Sequence, residues 1–198
     1  MKIGLFGGSF DPIHYGHILP VQEARRALGL DRVIYLPTAV PPHKPGRQLA
    51  PAYARYAMVE LALLDEEGLY VSTHELTLGR PAYTIETVEH FQSVLPDAEI
   101  YLLIGGDSFA DLPFWVRWRD LVTAARLVVL ARPGWDEAGL APELAALARS
   151  DRVHLLRQPP VDISSTRLRA LFACGEAPPA GMVPDRVAYY VQKYKLYQ

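Results

Sequence analysis

Short runs of apolar, β-prone residues alternate along the chain with longer stretches in which apolar positions recur every three or four residues. The runs are Lys2–Phe6, Arg32–Leu36, Leu69–Ser72, Ile100–Ile104, Leu127–Ala131 and Val153–Leu156. None alternates apolar with polar residues along its length, which is how strands buried on both faces of a parallel sheet read. Between them, Ile85, Val88, Phe91 and Leu95 are spaced three, three and four apart. Val187, Tyr190, Val191 and Tyr194 fall at i, i+3, i+4 and i+7. Each set predicts one apolar helix face. Alternation of this kind implies right-handed crossovers and an α/β fold built on a doubly wound parallel sheet. Such sheets bind ligands beyond the carboxyl ends of their strands, so the segments after each strand are where chemistry is expected.

Two stretches read as loops. Residues 37–51 hold five prolines and one glycine and join the second strand to a helix opening near Ala52. That connection is long, which makes it a functional candidate. Glu176 to Pro184, with Pro178, Pro179, Gly181 and Pro184, reads as a stiff connector to the last helix.

Composition narrows the classes. At 198 residues, one domain (1–198) is expected, with a C-terminal helical segment from about residue 164. A net charge of −2 supplies no global basic field, so no nucleic-acid partner is expected. The single cysteine, Cys174, excludes an internal disulfide and any multi-cysteine zinc site. It precedes Gly175 at a predicted helix end and is expected to be buried. No run approaches the ~18 apolar residues of a membrane span. The start, Met1–Phe6, turns to glycine too early for a signal peptide. The expectation is a cytoplasmic protein with no membrane partner, and a homodimer stays open.

The first strand is followed by Gly7-Gly8-Ser9-Phe10-Asp11-Pro12-Ile13-His14-Tyr15-Gly16-His17 and then a helical stretch to about Leu28. A glycine turn between a first strand and a helix is a usual place to hold a phosphate. Two familiar versions are absent: no two glycines lie two apart, excluding G-x-G-x-x-G, and Gly-Lys never occurs, excluding a Walker A loop. What remains is the pair His14 and His17, which at a helix start lie on one side. They read as a cap or surface residues, as two ligands sharing a metal with Asp11, or as imidazole donors to a phosphate. Far along the chain, Asp162-Ile163-Ser164-Ser165-Thr166-Arg167-Leu168-Arg169 reads as a helix start. Ser165 and Arg169, four apart, share a face, and Arg167 points elsewhere. These residues are either an N-cap alone or a polyphosphate clamp.

Phe6 to His17 resembles the signature of the HxGH nucleotidyltransferase superfamily, and the fuller pattern is similar to the bacterial nicotinate-nucleotide adenylyltransferases, which make deamido-NAD. Ile163–Arg169 resembles their I-S-S-T-x-x-R motif, the second half of a triphosphate site. Gly105-Gly106-Asp107 through Leu112-Pro113-Phe114-Trp115 is similar to G-x-D-x-x-x-x-L-P-x-W, although Trp115 and Trp118, three apart, also read as a buried helix side. Pro41-Pro42-His43-Lys44 resembles P-P-H-K. Ala82-Tyr83-Thr84-Ile85-Glu86-Thr87 resembles S-Y-T-x-[DE]-T, with Ala82 where the family has serine. Arg132 matches a frequent family arginine.

The resemblance implies a Rossmann-like nucleotidyltransferase fold and transfer of the adenylyl group of ATP to nicotinate mononucleotide, giving deamido-NAD and pyrophosphate in NAD biosynthesis. It implies His14, His17 and Arg169 as catalytic. ATP falls to Gly8, Ser9, Phe10, Gly105, Asp107, Ile163, Ser164, Ser165 and Thr166. Nicotinate mononucleotide falls to Lys44, Tyr83, Thr84, Thr87, Trp115 and Arg132. Mg²⁺ is expected to arrive with ATP, without ligands from protein side chains. The chemistry agrees with what the chain lacks: the attacking phosphate oxygen is already ionised near neutrality, so no general base is needed. Two rivals stand beside this reading. One is another superfamily member acting on phosphopantetheine, which fits L-P-x-W and P-P-H-K poorly. The other is a nucleotide-binding regulator that does not catalyse.

Overall fold

The first strand, β1 (Lys2–Gly8), carries a glycine where strands ordinarily carry bulk. A Cβ at Gly4 would lie 2.9 Å from Val33 Cγ2, 3.1 Å from Leu103 Cδ1 and 3.2 Å from Leu30 Cδ1. Apolar side chains from three segments already fill that space, as expected of a strand in the middle of a close-packed sheet. The computed structural model describes residues 1–39, 49–159 and 161–198. After β1 come α1 (Tyr15–Leu28), β2 (Arg32–Pro37), α2 (Ala52–Leu63), β3 (Leu69–Val71), α3 (His74–Thr77) and α4 (Thr84–Val94). Then follow β4 (Glu99–Gly105), α5 (Gly106–Ala110), α6 (Trp118–Ala124), β5 (Arg126–Ala131), α7 (Pro142–Ala148), β6 (Val153–Arg157), α8 (Ser165–Ala173) and α9 (Asp185–Lys193).

Each apolar run read from the sequence is a strand. The strands form one sheet in the order β3-β2-β1-β4-β5-β6. Parallel pairing joins β1 to β4 (Phe6 opposite Leu103), β4 to β5 and β5 to β6. This is a doubly wound, Rossmann-like order, which reverses between β1 and β4. The carboxyl ends of those two strands lead into Gly8–His17 and Gly105–Trp115.

The chain divides into two compact units. The first comprises residues 1–7, 20–33 and 83–160. Its core includes Ile3, Leu5, Ile85, Val88, Leu103, Phe109 and Val128. The second comprises residues 8–19, 34–82 and 161–198. Phe10, Ile13, Ile18, Tyr35, Met58, Leu168, Phe172 and Val187 form its core. Within it α9 lies against α2, and Arg186 at the start of α9 pairs with Asp65 at 3.1 Å. Among the described residues no helix is long and apolar enough to cross a membrane.

Three expectations are corrected. The α9 stripe is narrower than its spacing implied: Val187 and Val191 are buried, but Tyr194 lies past the helix end and is exposed. Leu95 likewise caps α4 rather than belonging to its buried face. Cys174 is exposed, not buried. It caps α8 two positions beyond the buried Phe172, and residues two apart do not share a helix face. Gly175, at φ +74°, then turns the chain away.

Candidate active site

The loop after β1 folds back on itself. Phe10 sits at φ +46°, and its ring returns over Gly8, where a Cβ would come within 2.9 Å of Phe10 Cζ. That ring is buried, in edge contact with His17 at 5.4 Å and 5.6 Å from Tyr35. Of Phe10, therefore, only the backbone is available to a ligand. The Ser9 carbonyl accepts from Arg55 Nη1 at 2.6 Å. Arg55, fully buried on α2, also donates from Nε to Ala50 O at 3.0 Å and from Nη2 to Thr38 O at 2.7 Å. Burial lowers the pKa of its guanidinium from the ordinary arginine value, and the Asp11 carboxylate opposes that shift.

His14 immediately precedes α1, and its carbonyl accepts from His17 N at 2.8 Å. The two imidazole centroids are 3.8 Å apart with 32° between planes. His14 is 2% exposed, whereas His17 is half-buried. The glycine of the motif has a direct reason: a Cβ at Gly16 would sit 2.9 Å from both Cε1 and Nδ1 of His14. Asp11, which a shared-metal reading needs, is turned elsewhere. Its Oδ1 accepts from Tyr197 Oη at 2.9 Å and from Ala50 N at 3.2 Å. Among the described residues no group of three or more His, Cys, Asp or Glu side chains could hold a metal ion.

The start of α8 lies on this loop. Ser165 Oγ donates to Pro12 O at 3.1 Å, and Arg169 Nη1 donates to Asp11 O at 2.7 Å. Arg169 Nη1 is also 3.8 Å from Asp11 Oδ2, and Nη2 donates to Thr166 Oγ1 at 3.0 Å. The Ile163 carbonyl is 3.6 Å from the Cβ position of Gly16. Ser164 is the N-cap, accepting from Arg167 N at 3.3 Å. The capping reading thus holds for Ser164, whereas Ser165 and Arg169 bind the histidine loop. Arg167 is more than half exposed and lies 3.8 Å from Asp162. The connector before α9 joins in: Tyr15 N donates to Met182 O at 3.1 Å.

The other candidates belong to the first unit. Gly105 ends β4 as the N-cap of α5, with Asp107 exposed in its first turn. Trp115 closes a 3₁₀ turn at Leu112–Phe114 and is half-buried. Trp118 opens α6, so the two tryptophans do not line one helix face. Arg132, just past β5, is exposed. At the start of α4, Tyr83 is the exposed N-cap, Thr84 is half-buried and Thr87 is buried. The Tyr83 N–H is turned toward Glu86 Oε2 at 3.5 Å. The N–H groups of Thr84 and Ile85, in the first turn, have no acceptor within the helix. Lys44, with Pro41, Pro42 and His43, lies outside the described residues.

Sequence reasoning missed Arg55, Tyr197 and Trp135, and weighed Asp11 only as a metal ligand. Arg55 left a signal, since it shares the i, i+3, i+4 and i+7 stripe with Met58, Val59 and Ala62, all buried. Trp135 covers the start of α5, where a Cβ at Gly106 would lie 2.6 Å from its Cδ1 and Nε1.

The sequence matches the cytidylyltransferase-like family over residues 5–171. It is 42% identical to a protein of Aeromonas hydrophila named "Probable nicotinate-nucleotide adenylyltransferase", over 99% of this chain and 97% of that one. A protein of the same name from Symbiobacterium thermophilum is 40% identical, over 99% of this chain and 95% of its own length. In fold the chain is similar to Plasmodium falciparum nicotinic acid mononucleotide adenylyltransferase complexed with NaAD. The TM-score is 0.81 at 17% identity, covering 99% of this chain and 97% of that one. Motif, geometry and full-length similarity agree: the chain belongs to the nicotinate-nucleotide adenylyltransferases of the cytidylyltransferase-like family.

Proposed function

We propose that this protein transfers the adenylyl group of ATP to nicotinate mononucleotide. The mononucleotide's phosphate oxygen attacks the α-phosphorus of ATP, the bond to the β-phosphate oxygen breaks, and deamido-NAD and pyrophosphate form. A phosphomonoester with a second pKa of about 6 is already ionised near neutrality, so no base has to remove a proton. The work left is alignment of two anions and neutralisation of charge as pyrophosphate departs. The observation that carries this reading is the seating of Ser165 and Arg169 on the Asp11–Pro12 backbone, beside the His14–His17 pair. It gathers imidazole donors, a guanidinium and a helix N-terminus through contacts spanning 153 and 158 positions.

In this reading His14, His17 and Arg169 take the phosphate oxygens of ATP, helped by backbone of Gly8–Phe10 and of Ile163–Thr166. Gly105 and Asp107 contact nucleoside, and Tyr83, Thr84, Thr87, Trp115, Arg132 and Lys44 contact nicotinate mononucleotide. Mg²⁺ enters with ATP and offsets phosphate charge. Imidazoles and a guanidinium suit phosphate oxygens rather than a bare magnesium ion, which prefers oxygen ligands and keeps its waters.

A product assay decides the matter. ATP is offered with nicotinate mononucleotide, nicotinamide mononucleotide and phosphopantetheine in turn, following pyrophosphate and dinucleotide. Deamido-NAD from the first is expected. Dephospho-coenzyme A instead would move the chain to another branch, and no pyrophosphate with any acceptor would leave a nucleotide binder.

A further inference from the structure

Arg169 is held by a residue that is itself held. The Asp11 side chain is buried, and its two oxygens do different things. Oδ1 accepts from Tyr197 Oη at 2.9 Å and from Ala50 N at 3.2 Å. Oδ2 makes no hydrogen bond and lies 3.8 Å from Arg169 Nη1, the same nitrogen that donates to the Asp11 carbonyl at 2.7 Å. The Tyr197 ring, in turn, stacks on Phe172 of α8 at 6.2 Å with 26° between planes, one turn beyond Arg169 on the same helix. A single tyrosine thus touches both partners whose separation sets the guanidinium: the carboxylate on the histidine loop and the helix that carries the arginine.

We propose that Tyr197 and Asp11 are positioning residues for Arg169, Tyr197 fixing the Asp11 carboxylate and Asp11 fixing the guanidinium. The proposal rests on Arg169 belonging to the ATP site. The chemistry suits the task. A buried carboxylate beside two guanidiniums, Arg55 and Arg169, needs its free rotation stopped if one oxygen is to face Arg169. Two donors on Oδ1 do that and leave Oδ2 toward the arginine. Tyr197 remains a protonated donor throughout, because burial and the Asp11 charge push its pKa well above that of an ordinary tyrosine. Neither residue can reach phosphate while so engaged, so their effect passes through Arg169.

The test is a double-mutant cycle. Tyr197→Phe keeps the ring and its stacking on Phe172 and removes only the hydroxyl. In the Arg169 background we expect kcat to fall about fivefold with KM for the mononucleotide unchanged. In the Arg169→Ala background the same change should cost less than twofold. Asp11→Asn is the second arm, keeping an oxygen for Tyr197 and Ala50 while removing the charge that faces Arg169, with the same pattern expected. Thermal unfolding confirms that each variant is folded. Wild-type kcat in folded Tyr197→Phe, or an equal loss with and without Arg169, would overturn the proposal. Calorimetric titration with ATP repeats the cycle without turnover. If the wild-type protein makes no deamido-NAD and the cycle on ATP affinity is still non-additive, the activity assignment falls and the positioning role stands.

Discussion

His14 and His17 lie ring against ring, 3.8 Å between centroids, yet His17 is half-buried whereas His14 is 2% exposed. The His14 ring fills the space beside Gly16 that a Cβ would need. The pair is therefore unequal, and the two residues should fail differently.

His17→Ala should lower kcat by roughly 10²–10³, the usual cost of one preorganised donor to developing charge. His14→Ala should lower kcat less but also cost about 1–3 kcal/mol of stability, because it empties a buried position. Steady-state kinetics and thermal unfolding on the same preparations separate the two. Near-wild-type turnover in folded His17→Ala would remove it from the catalytic set.

Gly16→Ala is a sharper probe. On helix propensity alone alanine would stabilise α1 by about 1 kcal/mol. Here its Cβ would press to within 2.9 Å of the His14 ring, which must move. We expect kcat to drop about tenfold or more while the melting temperature changes little. Unchanged kcat would mean that the ring's position is not critical.

Arg169→Ala should impair ATP use far more than Arg167→Ala. Arg169 is tied to Asp11 and Thr166 beside the histidine loop, and Arg167 faces Asp162 in solvent. kcat/KM for ATP in the two variants is the measurement, and equal losses would contradict the assignment.

Arg55→Met should destabilise the protein by about 3–5 kcal/mol, the range for removing one member of a buried charged arrangement. The carbonyls of Ser9, Thr38 and Ala50 would each lose a donor. Urea unfolding reads this directly, and a loss below about 1 kcal/mol would show that water replaces the guanidinium.

Nicotinate mononucleotide should be preferred over the nicotinamide form by at least about tenfold in kcat/KM. First-turn N–H groups of α4 only donate, so a carboxylate satisfies them and a carboxamide turns its own NH₂ toward one, a loss of roughly 1–3 kcal/mol. With Tyr83 N–H directed to Glu86, the discrimination falls to Thr84 and Ile85. Trp115→Ala should harm both substrates alike, since stacking does not distinguish the substituents. Equal efficiency with the two mononucleotides would dismiss a donor-only pocket.

The strands were legible because a doubly buried strand has no choice but a continuous apolar run, and Lys2–Phe6 or Leu127–Ala131 offers no other reading. The histidine loop and the Ser164–Arg169 helix start were legible because their chemistry is local. Ser165 and Arg169 share a face by spacing alone. What joins them to the loop is not local: Asp11 and Tyr197 meet across 186 positions, and no periodicity records such a pairing. Arg55 was hidden differently, since a long charged side chain on an apolar stripe reads as an interruption until its carbonyl partners are seen. Cys174 was misread because a small residue near a helix end looks like core, while its actual side of α8 depends on where the helix stops.

The two units also differ in when their residues are made. All of the first unit has been synthesised once Pro160 is added, whereas the second draws its last stretch from residues 161–198. At ~5–20 residues per second that stretch takes about two to eight seconds more. During this interval the histidine loop exists without Arg169 or Tyr197, so Asp11 lacks both of these later companions. A nascent chain therefore carries the His14–His17 pair before Arg169. The order of translation itself separates Asp11 of the histidine loop from Arg169 by 158 residues of synthesis.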